Sequence, residues 1–170
     1  MDKYIFLDID GVIATSDYLD EANMWTINPY KLELLKNIIN KTNAKIVLSS
    51  SWRKHSVEDT IKYMLNNSFT LATLIIGVTI RAYHYIDKNE RIHLSIPRGV
   101  EIKQWIDTHI HSDNGKNWTR KKEKIDFTYI ILDDDSDMLL EQKDNFIQCN
   151  SNIGLTEEIV EIAIKKLNNE

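Results

Sequence analysis

The chain has 170 residues, 42% of them hydrophobic and 28% charged, with a formal net charge of -5. Those values describe a globular chain long enough to bury one core, and they count against a surface built for non-specific binding of polyanions. The single cysteine, Cys149, excludes a disulfide within the chain, and no apolar run approaches the roughly 20 residues of a membrane span. A cytoplasmic setting, no membrane, no obligate protein partner and a single domain over residues 1–170 are therefore expected. The opening residues likewise show no cationic segment leading into a signal-length apolar stretch.

Tyr4-Ile5-Phe6-Leu7 is an apolar run stopped by Asp8, the pattern of a strand buried on both faces. Pro29 opens a helix in which Leu32, Leu35, Ile38 and Ile39 share one face. Ile46-Val47-Leu48 forms a second strand, stopped by Ser49, and Val57, Ile61, Met64 and Leu65 mark the helix behind it. Leu74-Ile75-Ile76, stopped by Gly77, is the third strand candidate. The segment from Ile80 to Ser95 is polar and aromatic without a period, either a lid or a surface loop. Behind Pro97, Ile102, Trp105, Ile106 and Ile110 mark a third helix. The stretch from His111 to Lys124 again lacks a period. Its run Arg120-Lys121-Lys122-Glu123-Lys124 is either a solvated loop or a patch facing a polyanion. Tyr129-Ile130-Ile131-Leu132 is a strand stopped by Asp133, and a weaker run lies at Phe146-Ile147, with Cys149 expected to be buried and inert. The last helix starts at Thr156 as N-cap, with Glu157 and Glu158 at its positive end and Lys165 and Lys166 at its negative end. Strand and helix alternate throughout, which predicts a doubly wound, Rossmann-like α/β/α fold in three layers around a parallel sheet.

Ligands of such sheets bind beyond the carboxyl ends of the strands, so the residue stopping each apolar run is the one to examine. Asp8-Ile9-Asp10-Gly11-Val12, Ser49-Ser50-Ser51-Trp52-Arg53 and Asp133-Asp134-Asp135-Ser136-Asp137 follow three of the runs. Two acidic clusters meeting at one edge require a compensating cation, and hard oxygen ligands select Mg²⁺ together with a substrate phosphate. Within such a site Asp8 is suited to attack phosphorus as a nucleophile, and Asp10 to protonate the leaving oxygen and then activate water. Gly11 permits a sharp turn with backbone amides close to the phosphoryl oxygens. Ser49 is placed to donate a hydrogen bond to phosphate.

This order of motifs resembles the haloacid dehalogenase-type phosphatase superfamily. Asp8 to Val12 stands for its first motif, Ser49 (or Ser50, in the alternative register) for its second, and Asp133, Asp134 and Asp137 for its acidic fourth. The resemblance implies a Lys or Arg near a helix start as third motif, assigned to Arg98 with Lys103 in reserve. It implies Mg²⁺ held by Asp8, Asp10, Asp133 and Asp134, and little room for more than a small cap. Leu48 to Arg53, Ile76 to Thr79, Arg98 to Ile102 and Leu132 to Asp135 together resemble, more narrowly, the compact phosphatase domains of RNA-repair proteins. The expected substrate is then a phosphorylated nucleic-acid end or nucleotide.

Several residues leave alternatives open. Arg53 suits either substrate phosphate or a surface acid; Trp52 suits either stacking on a base or packing at the rim. His55 and His84 show no partner spacing. A small-molecule phosphatase remains the alternative enzyme. A receiver-like domain that accepts phosphate on Asp is the non-enzymatic rival, although Asn150-Ser151-Asn152, and no Lys, follow the last strand.

Overall fold

The structure, a computed structural model, describes residues 1–21, 24–85, 93–110 and 126–170. In chain order the strands are β1 (Asp2–Leu7), β2 (Ala14–Leu19), β3 (Trp25–Ile27), β4 (Lys45–Leu48), β5 (Ile75–Val78), β6 (Tyr83–Tyr85), β7 (His93–Ser95), β8 (Phe127–Asp133) and β9 (Phe146–Gln148). The helices are α1 (Pro29–Thr42), α2 (Val57–Asn66), α3 (Arg98–His109) and α4 (Glu157–Asn168). The basic run at 120–124, and the rest of 111–125, lie outside the described residues.

Apolar side chains on both faces of the central strands explain the layering. Ile5 and Leu7 of β1 join Ile46, Leu48, Ile130 and Leu132 in one cluster, closed by the apolar faces of α1 and α4. Tyr4 and Phe6, pointing the other way, join Val47 and Ile131 against Ile102, Trp105 and Ile106 of α3. Each fully buried side chain of this size contributes about 1.5–3 kcal/mol, so neither face can be bared without loss of the fold. The sheet runs β5-β4-β1-β8-β9 with every neighbouring pair parallel. The chain winds outward from β1 to β5, then returns through α3 to β8 on the other side of β1. The doubly wound three-layer expectation is met, with its topological switch point between β1 and β8.

Local signals place the helices. Asn28 accepts a hydrogen bond from the Tyr30 amide ahead of Pro29, and Thr156 accepts one from Ile159. Leu32, Leu35, Ile38 and Ile39 are buried as expected, as are Ile102, Trp105, Ile106 and Ile110. Two expectations are corrected. Leu65 is 46% exposed, because the inner face of α2 is set by Thr60 and Met64, and the residue after Met64 is rotated away. Leu74 belongs to a short 3-10 turn, Ala72–Leu74, and the strand begins only at Ile75 and continues through Gly77. Gly77 stays inside the strand because the Trp105 indole fills the place of its side chain; a Cβ there would lie 2.8 Å from Nε1.

Two antiparallel hairpins add to this frame. β2 and β3 pair directly after the turn that follows β1. β6 and β7 pair within the segment read as a lid or loop, Tyr83 opposite Ser95 and Tyr85 opposite His93. No helix of the described residues is long and apolar enough to cross a membrane.

Candidate active site

Register brings the strand-stopping residues together. Leu7 is level with Leu48 on one side and Leu132 on the other. The ladder continues one residue further: the Asp8 amide donates to Leu132 O at 2.9 Å and the Ser49 amide to Leu7 O at 3.0 Å. Asp8, Ser49 and Asp133 therefore stand side by side at the carboxyl edge, across the switch point. Ligand oxygens of Asp8, Asp133 and Asp134 all lie within 4.8 Å of one another.

Gly11 makes this approach feasible. Its φ is +70°, which an L side chain rarely adopts, and a Cβ would fall 2.3 Å from Asp134 Cγ. Its amide donates to Ala14 O at 2.8 Å and closes the turn into β2.

The acids are held under tension. Asp133 is fully buried, and burial, with the neighbouring Asp8 charge, raises its carboxyl to about 7. Its Oδ1 accepts from the Asp135 amide at 3.0 Å, whereas Oδ2 is buried without a hydrogen-bond partner. Asp134 is also raised, by burial and by Asp8. An orphaned carboxylate oxygen among three converging acids fits a hard divalent cation. Asp10 was expected in the same ligand set, but its carboxylate is turned elsewhere. Trp52 Nε1 donates to both its oxygens at 3.0 Å, and Ser51 Oγ donates to Oδ2 at 3.2 Å. Burial raises the Asp10 carboxyl, opposed by the Trp52 hydrogen bond.

Ser49 is fully buried and its Oγ has no partner. Ser50 Oγ is engaged locally, accepting from the Trp52 amide at 3.3 Å. Arg98 stands at the first position of α3, its Nη2 3.7 Å from Asp8 Oδ2 and its Nη1 buried without a partner. Lys103, the reserve for that role, is drawn off to Asp107 and Glu141 at 3.0 and 3.8 Å. Asp137 caps α3 rather than joining the acid cluster: its Oδ2 accepts from the Arg98 amide at 2.7 Å. Gly99 lets that helix start pack tightly, since a Cβ there would meet the Leu139 amide at 2.4 Å.

Arg53 pairs with a buried acid, Glu101, where the alternative to phosphate was a surface acid. It is buried, its Nη1 donating to Ser49 O and Ser50 O at 2.6 and 2.7 Å, its Nη2 to Ile80 O and to buried Glu101. Glu101 Oε1 in turn accepts from the Ala82 amide at 2.8 Å. Arg53 thus fastens the loop after β4 to α3 and to the segment after β5. Nothing in the sequence pairs Arg53 with Glu101, or Trp52 with Asp10, and both links were missed. Cys149 is buried just past β9 with its thiol pushed up to about 12 by burial, in keeping with an inert residue. His55 lines a groove beside this loop.

A parallel, doubly wound sheet with three carboxylates gathered at its switch point, beside a buried hydroxyl and a helix-start guanidinium, is a haloacid dehalogenase (HAD)-like arrangement. The chain belongs to the family described as the HAD domain in Swiss Army Knife RNA repair proteins, whose model matches residues 4–160. No curated protein matches it. Membership of this family sets aside the receiver-like alternative.

Proposed function

We propose that the protein is a magnesium-dependent phosphomonoester hydrolase that attacks through Asp8 and takes the terminal phosphate of a nucleic acid. One observation carries the reading. Three acids converge at the switch point, and facing them are two buried groups without partners, Ser49 Oγ and Arg98 Nη1, of the type that binds phosphoryl oxygens. The family's link to RNA repair supports a nucleic-acid end as substrate.

Asp8, Asp133 and Asp134 would hold Mg²⁺, which when bound supplies positive charge against the phosphoryl oxygens and the acids themselves. Ser49 and Arg98 hold the phosphate in line with Asp8. A carboxylate oxygen of Asp8 forms a bond to phosphorus as the bond to the leaving oxygen breaks, and Asp10 donates its proton to that oxygen. The Asp10 carboxylate then takes a proton from water, whose oxygen attacks phosphorus; the bond to Asp8 breaks and phosphate leaves. The raised Asp10 carboxyl suits a group that must carry the proton first and lose it second. Arg53 and Trp52 position the loop and the acid.

The test is a phosphate-release screen with Mg²⁺ over 3′- and 5′-phosphorylated oligonucleotides, mononucleotides and sugar phosphates. Asp8→Asn is expected to abolish release while preserving a cooperative melt. Substantial Mg²⁺-dependent turnover in that variant would remove Asp8 as nucleophile, and sugar phosphates outperforming oligonucleotides would favour the small-molecule alternative.

A further inference from the structure

Two grooves leave the site in different directions and differ in charge. One, of about 640 Å³, is lined by Asp10, Asp20, Trp25, Trp52 and Tyr63 among others, so it is acidic and aromatic. The other, of about 610 Å³, is lined among the described residues by Ser51, Arg53, Lys54, His55, Thr79 and Arg81, with Val78 and Ile80 besides and no acid. A smaller hollow of about 250 Å³ shares Ser51, Arg53 and Arg81 with the second groove and reaches Arg98; Glu101, Asp135 and Asp137 line it too, the first already paired with Arg53 and the last with the Arg98 amide, and it joins the cationic groove to the phosphate end of the site.

Two unsatisfied atoms belong to residues of this groove. Thr79 is 3% exposed and Arg53 7%, and Thr79 Oγ1 and Arg53 Nε are both buried without a hydrogen-bond partner. Unmade hydrogen bonds of this kind are costly unless a ligand or water completes them. Arg81 and Lys54 bracket the groove. The Arg81 guanidinium donates to Ser51 O, and the Lys54 ammonium rests 3.4 Å from the Tyr63 ring centroid, at the divide between the two grooves. The acidic groove repels a second phosphate; this one attracts it.

We infer that the cationic groove between the loop after β4 and the segment after β5 is a subsite for the internucleotide phosphate next to the one removed. This rests on the hydrolase reading and goes further, making the substrate a polynucleotide rather than a mononucleotide. It also reconciles a phosphate-rich substrate with the acidic balance of the whole chain, because the attraction is local.

The experiment compares phosphate release from a phosphorylated mononucleotide with release from a dinucleotide bearing the same terminal nucleotide, in 3′ and 5′ forms. Wild-type protein is expected to favour the dinucleotide at least ten-fold in kcat/KM, mainly through KM. Arg81→Ala and Lys54→Ala, both at exposed positions, should each lower that preference. Each should also flatten the log–log salt dependence for the dinucleotide, by roughly 0.7 per cation removed. Equal kcat/KM for the two substrates in wild-type protein overturns the subsite and leaves the hydrolase standing. The converse is read by fluorescence anisotropy with a dye-labelled oligonucleotide. Binding that depends on Arg81 and Lys54, without any turnover, upholds the subsite and overturns the hydrolase reading; no binding overturns the subsite.

Discussion

Trp52→Phe isolates the hydrogen bond that tunes Asp10. Trp52 Nε1 lies 3.0 Å from each Asp10 oxygen, and its ring meets Tyr63 edge-on at a centroid distance of 6.0 Å. Phenylalanine keeps an apolar ring against Tyr63 and removes only the donor. A hydrogen bond to a charged group is worth about 1.5–3 kcal/mol, and both residues here are half-buried, so the lower end applies. At roughly 1.4 kcal/mol per tenfold change in proton affinity, the loss corresponds to about one pH unit. The donor stabilises the carboxylate, so without it Asp10 holds its proton to higher pH. In the proposed mechanism the first chemical step needs that proton. The alkaline limb of kcat/KM for a poor leaving group should therefore move upward by about one pH unit, while an activated aryl phosphate, whose leaving group needs no proton, shows a much smaller change. An unmoved limb, or one displaced downward, would refute the assignment of Asp10 as the acid.

Three other outcomes are expected. Arg53→Met leaves Glu101 buried without its 2.6 Å partner, a defect of about 3–5 kcal/mol, so the melting temperature should fall on the order of 10 °C; a change under 2 °C would show that the pair stabilises nothing. Asp133 has its folded carboxyl raised to about 7 against an ordinary value near 4, so the metal-free protein holds this contribution below about pH 4 and loses it as pH rises through 7. Melting temperature without Mg²⁺ should then drop between pH 5 and 8, and Mg²⁺ should restore more at pH 8 than at pH 6; equal gains would argue against the acid cluster as the metal site. Gly11→Ala forces Asp134 away and strains a backbone at φ +70°, so Mg²⁺ affinity, read by calorimetry, should fall at least ten-fold.

What the sequence disclosed was the part encoded by short-range pattern. A buried parallel strand is an unbroken apolar run, so Asp8, Ser49 and Asp133 announce themselves where three such runs stop. Asn28, Pro29 and Thr156 mark helix starts by local hydrogen bonding. The β2–β3 hairpin stayed invisible because four of the six residues of β2 face solvent and carry no alternation. The link from Arg53 to Glu101 spans 48 positions and that from Trp52 to Asp10 spans 42, separations at which only the folded topology determines who meets whom. Asp137 and Asp134 look alike in a run of acids; one caps a helix and the other turns toward Asp8 because the chain bends between them.

β1 lies at the middle of the sheet, hydrogen-bonded along both edges, and Ile5, Phe6 and Leu7 are completely shielded from solvent. Its amides can exchange with solvent hydrogen only when the whole molecule opens, which puts Asp8 on the best-protected stretch of backbone. Most residues that line the two grooves sit instead outside the central strands, on the loops after β1, β4 and β5 and on β3. Substitution there can retune what is admitted without disturbing the strand that ends at Asp8, a division that lets selectivity drift over evolutionary time while the acids at the carboxyl edge stay in place.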